Sequence, residues 1–211
     1  MKNIIAHRGF WFDVSEQNTK KSFERALSNG FGIETDLRDQ KQSLVISHDM
    51  SNSGAMDFST FLEICSQFDN QMVLALNVKA DGLQNLLKQS DIKNPHFYFD
   101  MSVPDMLSYC HSSMPVFCRY SNIETKPSLY SESIGVWLDN FLDAKLNLEA
   151  LTQFLKDEKK VVLVSPELHK RDESGYWCEL KQFINTNPQW SELIGLCTDY
   201  PLKARDYFNG K

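Results

Sequence analysis

The sequence has no glycine-rich loop after any predicted strand, no cysteine pair at CxxC spacing, no basic excess and no long apolar run. Each absence removes a class of function. Gly30-Phe31-Gly32 precedes a strand instead of following one, so a dinucleotide or P-loop phosphate cradle has no place to sit. The five cysteines, at 65, 110, 118, 178 and 197, are odd in number and scattered. That pattern points to free thiols in a reducing compartment, not to a disulfide framework or a zinc site. A net charge of −6 and a pI near 5.4 leave no basic face for nucleic acid or an anionic membrane. The longest uninterrupted apolar run is Met72–Leu76, far short of the roughly 20 residues of a membrane span. Only three apolar residues precede His7 and Arg8, which do not make a signal peptide. A soluble, cytoplasmic protein is expected, with no nucleic-acid partner, no stable membrane insertion and an open oligomeric state.

What is present is a repeat. The 211 residues are 42% hydrophobic and carry fourteen Phe and four Trp, enough to build one core, so a single domain over 1–211 is expected. Nearly continuous apolar runs, the mark of parallel strands buried on both faces, lie at Asn3–Ala6, Gly32–Leu37, Met72–Val78, His96–Phe99, Val116–Arg119, Gly135–Leu138, Val161–Val164 and Ile194–Cys197. Ser43–Ser47 reads as a shorter extra strand forming a hairpin with the second. Helix-like stretches alternate with them: Thr19–Ser28, Ser59–Gln67, Gly82–Gln89, Val103–Cys110, Leu148–Asp157, Gly175–Asn185 and Leu202–Tyr207. Ser121–Ser133 shows no convincing helix. Eight βα units in this length predict a small α/β protein of the (β/α)8 TIM-barrel type; an open doubly wound sheet is the runner-up.

In such a barrel the chemistry sits at the C-terminal ends of the strands. His7 and Arg8 end the first strand. Glu34 and Asp36, at i and i+2 of the second, share one face. Two carboxylates facing an interior repel each other and are costly to desolvate unless a cation compensates, and a hard divalent ion such as Mg²⁺ or Ca²⁺ suits oxygen ligands. His48 closes the extra strand and is expected near Glu34 and Asp36, so one imidazole can take a proton while the other gives one. Asp49 reads as a turn residue. Lys79 ends the third strand and, with Arg8, can offset the charge of a phosphate.

These residues resemble the glycerophosphodiester phosphodiesterase family. The resemblance is carried by His7-Arg8-Gly9, Glu16-Gln17-Asn18-Thr19, Glu34-Thr35-Asp36, His48-Asp49, Asn77-Val78-Lys79 and Thr198-Asp199-Tyr200-Pro201. It is dense to residue 80, looser in the middle and firm again near 198. It implies in-line attack on phosphorus by a hydroxyl of the substrate's own alcohol, through a cyclic phosphate that water then opens. His7 and His48 would be general base and acid, and Glu34, Asp36 and Asn77 would hold the metal. Arg8 and Lys79 would bind the phosphate, and Glu16 would support the site.

The departures carry expectations of their own. Asn77 stands where the family has a third carboxylate, so the metal is expected to bind weakly unless Asp139 or Glu167 compensates. Gln17 and Ser15 alter the turn before the first helix. Only about twenty-three residues separate His48 from Met72, so no sizeable cap is expected over the pocket. Specificity is then expected from later strand ends: Arg119, Trp137, Asp139 and Glu167, with Trp177 and His169 nearby, a ring suited to a sugar or polyol. The expected substrate is a small glycerophosphodiester or a related polyol or sugar phosphodiester. Two rivals stand: a lipid phosphodiesterase, disfavoured because no exposed apolar stretch suited to membrane docking is apparent, and a catalytically silent barrel binding phosphorylated ligands.

Overall fold

The structure, a computed structural model, describes residues 1, 3–69 and 71–210. Its backbone contacts group into two compact units, one of residues 5–116 and the other of residues 1–4 with 117–211.

The first unit is built on β2 (Gly32–Gln40), whose apolar positions Ile33 and Leu37 are fully buried. Parallel partners flank it: β1 (Asn3–His7) pairs with its start, with His7 opposite Glu34, and β5 (Leu74–Val78) pairs along Ile33–Leu37. β6 (His96–Phe99) continues the parallel order beyond β5. The C-terminal half of β2 folds back through a two-residue turn at Lys41 and Gln42, both at positive φ, into antiparallel β3 (Ser43–Ile46). β3 in turn pairs with the two-residue β4 (Met56–Asp57). The expected hairpin on the second strand is present; β4 is an addition that its two residues did not announce.

Helices cover the outside of these strands. α1 (Lys20–Ser28) starts at Thr19 with a reciprocal cap: the Thr19 hydroxyl accepts from the Ser22 amide, and the Ser22 hydroxyl accepts from the Thr19 amide. It buries Phe23, Ala26 and Leu27 at helical spacing, and Phe23 meets Phe61 of α2 (Phe58–Cys65) edge-on at 4.8 Å. α3 (Gln84–Gln89) and α4 (Val103–His111) follow β5 and β6. Gly9 marks the closest backbone approach. Its φ is +83°, and a Cβ there would lie 2.6 Å from Ser22 Oγ, so only glycine lets α1 seat against the end of β1.

The second unit repeats the theme with four more parallel strands, β7 (Phe117–Tyr120), β8 (Gly135–Leu138), β9 (Lys160–Val164) and β10 (Ile194–Thr198), paired in that order. α5 (Leu148–Lys156), α6 (Ser174–Thr186) and α7 (Pro201–Asn209) alternate with them. No helix separates β7 from β8, as the irregular stretch at 121–133 predicts. The eight parallel strands are the eight read from the sequence, within two residues at each end except that β2 runs three residues further, to Gln40. Among the described residues, no helix is long and apolar enough to cross a membrane. All five cysteines are free, and Cys65, Cys118 and Cys197 are buried.

Candidate active site

Strand register sets the site. His7 is paired across to Glu34, and Asp36 across to Asn77, so alternation puts all four on one face of β1, β2 and β5. His7 Nε2 lies 3.9 Å from Glu34 Oε2. Asn77 donates Nδ2 to Glu34 Oε1 at 3.2 Å. Glu34 and Asp36 are both buried. Burial, and after it the neighbouring Asp36 carboxylate, pushes the Glu34 carboxyl up to about 7, opposed by His7, Lys79 and Arg8.

Arg8 is the most heavily fixed residue of the site. Its backbone is left-handed (φ +55°), a conformation that strains a non-glycine residue. Neighbours impose it: the Arg8 amide donates to the Glu34 carbonyl at 2.9 Å, and the Arg8 carbonyl accepts from the Asn18 amide and the Ser22 hydroxyl. The side chain then reaches two partners. Nε lies 3.0 Å from Asp36 Oδ2, and Nη1 donates to Gln17 Oε1 at 3.1 Å. Asn18 adds a second clamp on the acid, donating Nδ2 to Asp36 Oδ2 at 2.8 Å while its Oδ1 accepts from the Thr35 hydroxyl. Lys79 Nζ stands 3.5 Å from Asp36 Oδ1 and 3.7 Å from Asp100.

His48 stands at the end of β3, one residue past Ser47, whose amide donates to the Asp36 carbonyl at 3.0 Å. His48 Nδ1 lies 2.8 Å from Asp49 Oδ1. A carboxylate only accepts, so Nδ1 is the donor in this contact. Asp49 makes this contact from within the bend that follows β3, in keeping with its reading as a turn residue. Arg8 and His48 line one pocket of about 500 Å³, with Gln17, Asn18, Thr19, Lys20, Ser47, Met50 and Asn52 among its walls.

Glu16 is placed differently from the role the resemblance implies. Its carboxylate pairs with Lys21 and, at 2.8 Å, with Arg25, and it accepts from the Phe12 amide; these partners hold it down to about 2. It braces the loop before α1, while its neighbour Gln17 is the residue that reaches Arg8. Gln17, Asn18 and Asp100 were not among the site candidates; Gln17 was read only as an altered turn residue and Asn18 only as part of the motif.

Donor chemistry answers whether these residues suit a metal. Glu34, Asp36 and Asn77 offer only oxygens of the hard kind. Asp36 Oδ1 and Asn77 Oδ1 are buried without a hydrogen bond, the two acceptors a cation would take. Among the described residues no three His, Cys, Asp or Glu side chains gather as a ligand set. The set fits a hard divalent ion, with Lys79 as a competitor for Asp36.

The remaining site candidates lie in the second unit. Asp139, after β8, lies 2.7 Å from His169 Nε2. Glu167 is buried and accepts from the hydroxyls of Ser165 and Thr198 and, at 3.1 Å, from the Asp199 amide; burial raises its pKa. Trp177 donates to Ser165 Oγ at 2.8 Å, which explains its burial. Thr198-Asp199-Tyr200-Pro201 is thus the staple joining β10 to α7, with Pro201 opening the helix. Arg119 pairs with Glu124 at 3.0 Å, and Trp137 is buried in β8.

The architecture is of a known class: α/β with βα repeats of the TIM-barrel type, its polar side chains collected at strand ends. The fold is that of the glycerophosphodiester phosphodiesterases of known structure. The glycerophosphodiester phosphodiesterase of Parabacteroides distasonis matches 98% of this chain over 96% of its own, at TM-score 0.64 and 17% identity. A phosphodiesterase of Oleispira antarctica, solved with the product sn-glycerol-3-phosphate, matches 99% over 97% at TM-score 0.68 and 17% identity. The enzyme of Agrobacterium tumefaciens matches 99% over 97% at TM-score 0.60 and 15% identity. The sequence matches no protein-family model and no curated protein.

Proposed function

We propose that this chain is a phosphodiester hydrolase that cleaves a glycerophosphodiester, or a related polyol or sugar phosphodiester, to an alcohol and a phosphomonoester. The observation that carries the reading is the shared face of His7, Glu34, Asp36 and Asn77, beside a pocket lined by Arg8 and His48. The single anionic charge of a phosphodiester is met by the Arg8 guanidinium and the Lys79 ammonium. A hydroxyl of the substrate attacks phosphorus in line. One imidazole accepts its proton, and the other protonates the departing alkoxide; water then opens the cyclic phosphate with the roles reversed. In this reading His48, whose Nδ1 faces Asp49, is the base through Nε2, and His7, against Glu34, is the acid.

Glu34, Asp36 and Asn77 would hold a Mg²⁺ or Ca²⁺ ion, which when bound supplies electrostatic stabilisation of the phosphoryl oxygens. With one carboxylate replaced by an amide, and with Lys79 beside Asp36, binding is expected to be weak. The chain is read as a single domain and as cytoplasmic, its small-molecule substrate being its partner. Turnover of a panel of glycerophosphodiesters and sugar phosphodiesters, run with chelator and then with Mg²⁺ or Ca²⁺, tests the reading. Cleavage of at least one member supports it. No cleavage by folded protein favours the silent binding barrel.

A further inference from the structure

Lys79 stands between two carboxylates that differ in burial. Its Nζ lies 3.5 Å from Asp36 Oδ1 and 3.7 Å from Asp100 Oδ2. The Asp36 side chain is 1% exposed and that of Asp100 27%. A buried carboxylate attracts an ammonium more strongly than a partly exposed one, because less water and salt screen the pair. Left to Asp36 alone, Lys79 would close on Oδ1, an oxygen that accepts no hydrogen bond. Each charge would then cancel the other where a phosphate and a cation need them.

The second carboxylate is delivered by an unusual piece of backbone. Asp100 is left-handed (φ +73°), a conformation that Asp and Asn tolerate better than most residues. The turn ends β6 at Phe99, which pairs with Asn77 of β5. The loops that carry Lys79 and Asp100 are also tied to each other. The Ser102 amide donates to Asp81 Oδ1 at 3.1 Å, and the Gly82 amide donates to Asp105 Oδ1 at 3.1 Å. Ser102 in turn caps α4, its hydroxyl accepting from the Asp105 amide. Asp100 therefore meets Lys79 from a fixed backbone.

We propose that Asp100 is a positioning residue that holds the Lys79 ammonium off Asp36, leaving the ammonium for a substrate phosphate and Asp36 Oδ1 for a hard cation. The inference rests on the phosphodiester reading of the site and assigns a further residue to it. Its signature is a sign. Removing a negative charge by Asp100→Asn, acting through space alone, tightens anion binding and weakens cation binding. Acting through Lys79, the same change weakens both. An ammonium that closes on Asp36 is lost to the anion and stands in the way of the cation. Asn keeps the left-handed turn, so the backbone is not the variable.

Isothermal titration calorimetry on the full chain tests this, with inorganic phosphate in chelator and with Mg²⁺ in phosphate-free buffer. The proteins are the wild type, Asp100→Asn, Lys79→Met and the double variant. Asp100→Asn should lower each affinity roughly fivefold, the upper range for a partly exposed ion pair. Lys79→Met should weaken phosphate and tighten Mg²⁺, and adding Asp100→Asn to it should cost no further phosphate affinity. Opposite shifts of the two ligands, no shift, or the same phosphate loss with and without Lys79 overturns the proposal. So does a wild type that does not bind both ligands. Turnover of a glycerophosphodiester is read separately. Its absence alongside the expected affinities refutes the phosphodiesterase reading and leaves the role of Asp100 in a binding site standing; turnover with opposite shifts does the reverse. Circular dichroism checks folding, and Lys79→Gln repeats the comparison with a polar side chain.

Discussion

Asn77 donates its amide to Glu34 at 3.2 Å, across from an Asp36 already clamped by Arg8 and Asn18. The amide does in part what a cation does for two buried carboxylates: it places positive potential between them. It also leaves its own carbonyl oxygen buried and unpartnered. On the proposed reading, position 77 sets how strongly the site would hold an ion.

Asn77→Asp replaces a donor with a third buried carboxylate. Without divalent ions the variant should lose on the order of 2 kcal/mol, roughly 4–8 °C in Tm for a chain of this size. With Mg²⁺ or Ca²⁺ it should gain more Tm than the wild type does. Thermal melts with chelator and with each ion measure this, and an equal ion response in both proteins would remove position 77 from the ligand set.

His7→Ala and His48→Ala should each lower kcat/KM by roughly 10² or more. Asp49→Asn should have a smaller effect, about fivefold or less, because an exposed pair contributes at most about 1 kcal/mol. Asp49 is 92% exposed, against 45% for the ring it holds. A large loss at Asp49 with little at His48 would refute the assigned base.

Gln17→Leu keeps the bulk of the side chain and deletes the acceptor for Arg8 Nη1. Loss of one hydrogen bond of about 1 kcal/mol should raise KM about fivefold and leave kcat nearly untouched. A change confined to kcat would place Gln17 in the chemical step instead of in aiming the guanidinium.

Glu167 supplies the pH dependence. Burial raises its pKa above the ordinary 4.5, and the Ser165, Thr198 and Asp199 donors oppose that without cancelling it. A folded state with the higher pKa binds the proton more tightly than the unfolded chain. The stability it contributes is therefore full below 4.5 and lost as pH rises through the folded value. Urea unfolding across this window should show wild-type stability falling relative to Glu167→Gln as pH rises. Parallel curves would mean the carboxyl titrates alike in both states.

Strands such as Val161–Val164 and Leu74–Leu76 were legible because their residues are apolar on both faces. The face shared by Glu34 and Asp36 followed from alternation alone. The partners of loop side chains were not legible. Nothing local separates Glu16 from Gln17 as the contact to Arg8; the choice is made by the left-handed turn at Arg8 and the capped start of α1, which bring position 17 inward and leave Glu16 to Arg25. Asp49 looked like a turn residue and sits in a bend, and its contact with the neighbouring His48 ring is a matter of rotamer that the sequence does not carry. β4 is two residues long and exists only because β3 offers an edge.

The left-handed backbone at Arg8 bears on how far this molecule can be hardened. Glycine is the residue that conformation favours, so Arg8→Gly should relax the chain locally and remove the guanidinium in the same change. The relief is worth roughly 1–2 kcal/mol, whereas leaving the buried Asp36 carboxylate without its guanidinium costs about 3–5 kcal/mol, so selection on folding alone holds the strained arginine in place.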